Sequence, residues 1–196
     1  MDAKALYLDF HRYTHGDVPS SASMVMGATP DQMRVTRPGH NSIAWLLWHI
    51  ARGEDWAINA MLRGEPELWT RDGWMKRCGV EGLDWGPGMS QAEVDDLSHR
   101  IDIDALKEYY RVVAVNTRDF IETFDFERLD EPFDAKARLA EIPHTIIPAG
   151  HLVRRIVDAQ TTQRWFLSVM AQHDPQLHIG EAGHMYRVVV GDENFP

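Results

Sequence analysis

A single cysteine, Cys78, stands in 196 residues, so neither an intramolecular disulfide nor a CxxC-type zinc site can form. Any metal must be held by His, Asp or Glu. Positive charge is also short: 20 Lys and Arg against 30 Asp and Glu leave a net charge of -10. That balance opposes binding to nucleic acid and to an anionic membrane surface. No apolar run approaches the roughly 18 residues of a membrane span. The opening "MDAKALYLDFHRYTHGD" has no basic stretch leading into an apolar one, so no signal peptide is read and a soluble, cytoplasmic protein is expected. GxGxxG, P-loop, GxSxG and HExxH patterns are missing, which removes support for nucleotide cofactors and serine-hydrolase chemistry. Strand alternation is nearly absent, the exception being "YRVVVG" from Tyr186 to Gly191.

Helical spacing fills the space left by those absences. With 44% hydrophobic and 26% charged residues the chain has an ordinary globular composition, long enough for a real core and expected to form one domain over 1–196. Residues 3 to 14 read as a helix with Leu6, Phe10 and Tyr13 on one face, interrupted after Gly16 and Pro19. Thr29, Pro30 and Gln32 supply a cap, a first-turn proline and a capping-box partner for a short helix. A long helix from about Asn41 to Leu62 is apolar all round between Ile43 and Ala51, as in a helix at the centre of a bundle. From Gly64 to Gly88 the composition turns to Gly, Pro and Trp, read as an irregular insertion packing its tryptophans over one end of the core.

Ser90 and Glu93 form another capping box, and a third long helix follows from about Asp104 to Phe124, with Leu106, Tyr109, Val113, Asn116, Phe120 and Phe124 on one face. A last helical region starts near Gly150 and repeats Leu152, Ile156, Gln163, Phe166, Met170 and His173 until Pro175 disturbs it. The expected fold is all-α, a four-helix bundle with a long Trp/Gly-rich insertion between helices two and three.

Ten histidines are the other abundance. His49 shares a helix face with Trp45, Gly53 and Trp56, so it points inward among aromatics, where a buried imidazole needs partners for both ring nitrogens. "MAQHDPQLHIGEAGHMYR" gathers His173, Asp174, His178, Glu181 and His184. Asp174 and His178, four apart, share a helix face, whereas His173 and His178 diverge by about 140° unless a π-bulge brings them into line. Two ligand sets follow: His49, His173 and His178, or His49, Asp174 and His178. Either offers three donors from two helices and leaves a position open for water or substrate. Glu181 with His184 and Glu141 with His144 also match the Glu-x-x-His spacing of di-iron bundles, but two prolines in "AEIPHTIIP" argue against a helix at the second copy. His11, His15, His40, His99, His144 and His151 fall near helix ends or in polar loops and read as solvated or capping residues.

With these residues in view the sequence resembles the DinB-like superfamily, in its DinB_2 branch. "NSIAWLLWHIARGED" is similar to that family's second-helix motif with its metal-binding histidine, here His49. "HDPQLHIGE" is similar to its terminal His-x-x-x-His-x-Gly-Gln/Glu motif, and the order of elements through "GMSQAEVDDLSHRIDIDALKEYY" also matches. The resemblance implies a four-helix bundle and a divalent metal on three histidines, zinc or nickel being expected. It also implies thiol-dependent transferase or isomerase activity with mycothiol or bacillithiol, or metal-dependent hydrolysis. His178 takes the place of the motif's second histidine. Four residues earlier stands Asp174, not histidine, and His173 is one residue too early, so the third ligand lies between these two.

The leading expectation is therefore a metal-dependent enzyme that moves a low-molecular-weight thiol or water onto a small electrophile. Glu54, Asp55 and Glu181 are candidates to orient the histidines or to act as general base. The rival is a non-catalytic bundle that binds an apolar small molecule in a cavity formed by Trp45, Trp56, Trp69, Trp74 and Trp85, or a partner subunit. A homodimer is compatible with either.

Overall fold

The computed structural model describes residues 2–82, 85–142 and 152–191. The described residues are all-helical, with two isolated β-bridges, Arg37 to His40 and Pro132 to Thr162, and no strand. In chain order the α-helices are α1 (Ala3–His15), α2 (Ser21–Met26), α3 (Pro30–Arg34), α4 (Ile43–Asp55), α5 (Leu68–Arg71), α6 (Trp74–Cys78), α7 (Gln91–Arg100), α8 (Ile103–Thr123), α9 (Ala135–Glu141), α10 (Leu152–Asp158) and α11 (Asp174–Val190). Two π-helical segments, Trp56–Arg63 and Phe166–His173, extend α4 and precede α11, and a 3-10 turn covers Phe126–Asp130. No helix among the described residues is long and apolar enough to cross a membrane.

The starts expected from sequence are made by the side chains that suggested them. Thr29 and Gln32 form a capping box around Pro30, Ser90 and Glu93 form another, and the Ser42 hydroxyl accepts from the Trp45 amide at 3.0 Å to open α4. Every residue of α4 is buried. It packs against α8 on one side and α11 on another, and the two π segments pack on each other. Helix α4 is thus the axis about which the other long helices are arranged.

Four expectations are corrected. On α1 the apolar residues Leu6, Phe10 and Tyr13 are exposed, Phe10 at 50%, while the buried face is Leu8, His11, Thr14 and His15. The last helical region is not continuous from Gly150, which lies outside the described residues together with His144 and His151. It breaks between α10 and the second π segment, where the Phe133 amide donates to the Thr161 carbonyl at 2.7 Å beside the Pro132 to Thr162 bridge. Pro175 does not break the helix, although the winding before it, Phe166–His173, is π: it sits in the first turn of α11, and the carbonyl of Ala171, four residues earlier, accepts from the Tyr7 hydroxyl at 3.1 Å. Residues 186–190 are helical, the end of α11, so the "YRVVVG" alternation forms no strand.

The insertion is partly ordered into α5 and α6, and its tryptophans do not act together. Trp69 and Trp74 pack on Tyr109 of α8, with ring centroids 5.1 and 5.6 Å away. Trp85 instead returns to α4 and stacks on Trp56 at 5.5 Å and His49 at 5.7 Å. The chain can close on α4 here because Gly86 has φ +108° and a Cβ at that position would lie 2.6 Å from the Trp45 ring.

Candidate metal centre

His49 lies flat against the Trp45 indole, with ring centroids 4.7 Å apart and planes within 9°. Its Nδ1–H donates to the Trp85 carbonyl at 2.5 Å. A carbonyl can only accept, so the proton is on Nδ1 and Nε2 keeps its lone pair. That Nε2 faces Asp174 Oδ2 at 3.7 Å. From α11, the His178 Nε2 faces Asp174 Oδ1 at 3.6 Å, while its Nδ1–H donates to Glu181 Oε2 at 3.1 Å. The Glu181 carboxylate is steadied in turn by the Asn41 side-chain amide, which donates to Oε1 at 3.3 Å. The rings of His49 and His178 meet edge to face at 4.7 Å.

One donor atom each from His49, Asp174 and His178 lies within 4.8 Å of the others. Donors bound to one cation through bonds near 2.1 Å stand roughly 3.0–3.5 Å apart, so small side-chain movements close the set around a shared ion. Asp174 Oδ2 is buried and has no hydrogen-bond partner among the described residues, the state of a ligand atom rather than of a satisfied core carboxylate. Access comes from the α11 side: the side chains of Asp174 and His178 are each 25% exposed against 8% for His49. These residues fit a divalent cation with an open face.

Electrostatics hold the group ready in its protonated, ion-free form. Burial lowers the His49 pKa despite the pull of Asp174, so that imidazole is neutral. Burial also opposes charge on His178, but hydrogen bonds and charge from Asp174 and Glu181 prevail and raise it to about 9. Asp174 is pushed up by burial and drawn further down by His178 and His49, and Glu181 is lowered chiefly by its bond to His178. A divalent cation held by His49, Asp174 and His178 would compete with the His178 proton for the same field.

The other sequence candidates are elsewhere. His173 is exposed and outside the group, because the wider π winding ends at that residue and the regular helix that aligns positions four apart begins at Asp174. Asp55 is fully buried and saturated: it accepts from the Leu68 and Trp69 amides at 3.0 and 2.9 Å, the Tyr109 hydroxyl at 2.7 Å and the Asn59 amide at 2.7 Å. It anchors α5 to α4. Glu54 turns to the far side of α4, where it meets His11 and His15 in a second, sealed cluster. Burial opposes its charge, yet His15 and His11 hold its carboxyl well below the usual carboxylate range. Cys78 is buried, and burial with the nearby Asp102 pushes its thiol up to about 12, too high for a nucleophile. Of the three candidate carboxylates only Glu181 touches the group.

A family model described as the DinB superfamily matches residues 21–182. The chain belongs to the DinB superfamily. Among solved structures, one titled as a conserved protein of locus from Enterococcus faecalis is similar over 97% of this chain and 99% of that one, with a TM-score of 0.68 at 19% identity. At that identity the likeness shows a shared fold alone. No curated protein matches the sequence. Within the matched stretch, the Asp174 carboxylate faces both imidazoles.

Sequence reasoning missed His11 and His15. Their spacing of four on α1 was a usable signal, outweighed by the apolar residues of the opposite face.

Proposed function

We propose that this member of the DinB superfamily is a metal-dependent enzyme that moves a low-molecular-weight thiol or water onto a small electrophile, with His49, Asp174 and His178 holding a divalent cation. The long stretches α1, α4 with its π extension, α8, and the second π segment with α11 are read as the four helices of the DinB bundle, and 64–88 as its insertion. One observation carries the metal reading: both imidazoles have Nδ1–H tied to an oxygen, and both present Nε2 to the same aspartate. Histidines that bind metals are oriented in this way, the outer hydrogen bond fixing tautomer and direction.

When bound, a cation of this kind lowers the pKa of a water or thiol so that the anion exists at neutral pH, and it polarises the substrate. The chain's own part is orientation and exclusion. Trp85 and Glu181 fix the two histidines. The stacked Trp45 and Trp85 keep water from the buried side of His49, so approach is from the face of Asp174 and His178. Glu181 has one oxygen on His178 and the other on Asn41, which makes it a positioning residue rather than a free base.

A second reading, a dimerising bundle, has its own support: Leu6, Phe10, Phe126, Leu129 and Leu167 line an apolar cavity of about 460 Å3 beside α1. The five tryptophans of the binding-cavity alternative are divided between two clusters and are all buried, which weakens that version of it. Elemental analysis with turnover decides. In His178→Ala the bound divalent metal is expected to fall by one equivalent per chain, and thiol conjugation or hydrolysis of an electrophile panel to be lost. Equal metal content in the variant and the parent would overturn the reading.

A further inference from the structure

We propose that His11, His15 and Glu54 form a second metal site, a closed structural one, in which a divalent transition cation clamps α1 to α4. The proposal does not depend on the reading of His49, Asp174 and His178. Both of its histidines precede the stretch 21–182 that the family model covers.

His11 and His15 stand one turn apart on α1, their rings stacked with centroids 4.2 Å apart, and both direct Nε2 at the single carboxylate of Glu54. His11 Nε2 is 2.9 Å from Oε1 and His15 Nε2 is 2.8 Å from Oε2. The first contact is aligned as a hydrogen bond. The second, equally short, lies off the line of a regular hydrogen bond, and both of its atoms are buried. Two imidazole nitrogens converging on one carboxylate, with a ligand atom of each residue within 4.8 Å of the others, are what ligands of one cation present.

Charge leads to the same place. The Glu54 side chain is wholly buried, and among the described residues its ion-pair partners are the two imidazoles, with no lysine or arginine. Arg118, whose charge reaches His11, is 2.8 Å from Asp17. The tyrosines that flank the cluster have their hydroxyls engaged elsewhere, Tyr7 on the carbonyls of Leu167 and Ala171 and Tyr110 on that of Thr14. A buried carboxylate needs a compensating cation, which here is either a proton on an imidazole or a metal ion shared by the three side chains. Two nitrogens and two carboxylate oxygens give four donors, the number of a closed structural zinc site, and the mixture of imidazole and carboxylate suits zinc, iron or manganese. With side chains 1% exposed or less, no substrate reaches it.

The test uses the full chain produced in zinc-supplemented medium, dialysed against EDTA and assayed for zinc per chain. An Asp174→Asn/His178→Ala double variant dismantles the open cluster from its partly exposed side and leaves the sealed one whole. It is expected to keep one equivalent of zinc after dialysis, and His15→Asn added to it should lose that equivalent. A folded double variant devoid of zinc overturns the proposal, as does zinc that persists after His15→Asn. Should His15→Asn not fold, the double variant decides alone, and cobalt in place of zinc should give it a visible d–d band that the metal-free protein lacks.

Discussion

On one side of α4, His49 meets Asp174 and His178 where a quarter of each of the latter two side chains contacts solvent. On the other, Glu54 meets His11 and His15 with side chains 1% exposed or less. His49 and Glu54 are five residues apart, which turns them about 140° around the helix axis. Each cluster has two imidazoles and one carboxylate. Their surroundings differ: the open cluster has its imidazoles tied from behind and an uncovered face, whereas the sealed one has its carboxylate enclosed and joins an outer helix to the central one. The same three groups thus suit chemistry when one face is open and cohesion when none is.

The largest effect that would sharpen this contrast is on stability. Glu54→Ala leaves two buried imidazoles without their common partner and is expected to cost about 3–5 kcal/mol in denaturant unfolding, the range for breaking a buried ionic group. A cost below about 1 kcal/mol would remove the distinction between the clusters.

Next in size, Glu181→Ala should weaken metal binding at the open cluster by about 10–100-fold, because His178 loses the group that fixes its tautomer. Its effect on unfolding should stay within about 1 kcal/mol, since Glu181 is a third exposed. Competition with a fluorescent chelator reads the affinity, and an unchanged value would break the proposed role of that carboxylate.

The smallest effect is a difference in pH window. His178 in the metal-free protein is raised from 6.5 to about 9, so its contribution to stability is full below about pH 6.5 and lost as pH rises through 9. Metal affinity runs the other way, rising over that interval as the competing proton leaves. Glu54 is lowered, so the sealed cluster's contribution is present above the ordinary glutamate value of 4.5 and lost only well below it. Melting temperatures of chelator-treated protein between pH 6.5 and 9.5 should fall by several degrees in the parent and stay level in His178→Ala. Parallel slopes in both would contradict the assignment.

The all-helical class, the capped starts at Thr29, Ser42 and Ser90, the central place of α4 and the inward His49 were legible because each depends on residues close in the chain. The pairing of Asp174 with His178 was legible in the same way, as one of two alternatives, since a spacing of four has a definite meaning only in a regular helix. Where that regularity begins was not, because the extent of the π segment Phe166–His173, which packs on the π extension of α4 and ends just before Pro175, is written in no residue spacing. The sequence by itself also assigned α1 its wrong face. Local hydrophobicity favoured Leu6, Phe10 and Tyr13, but a buried Glu54 on another helix gave His11 and His15 a partner that no local pattern contains. Periodicity reports the average face of one helix, whereas burial of a polar side chain is decided by what the neighbouring helix brings to meet it, and only the tertiary structure supplies that neighbour.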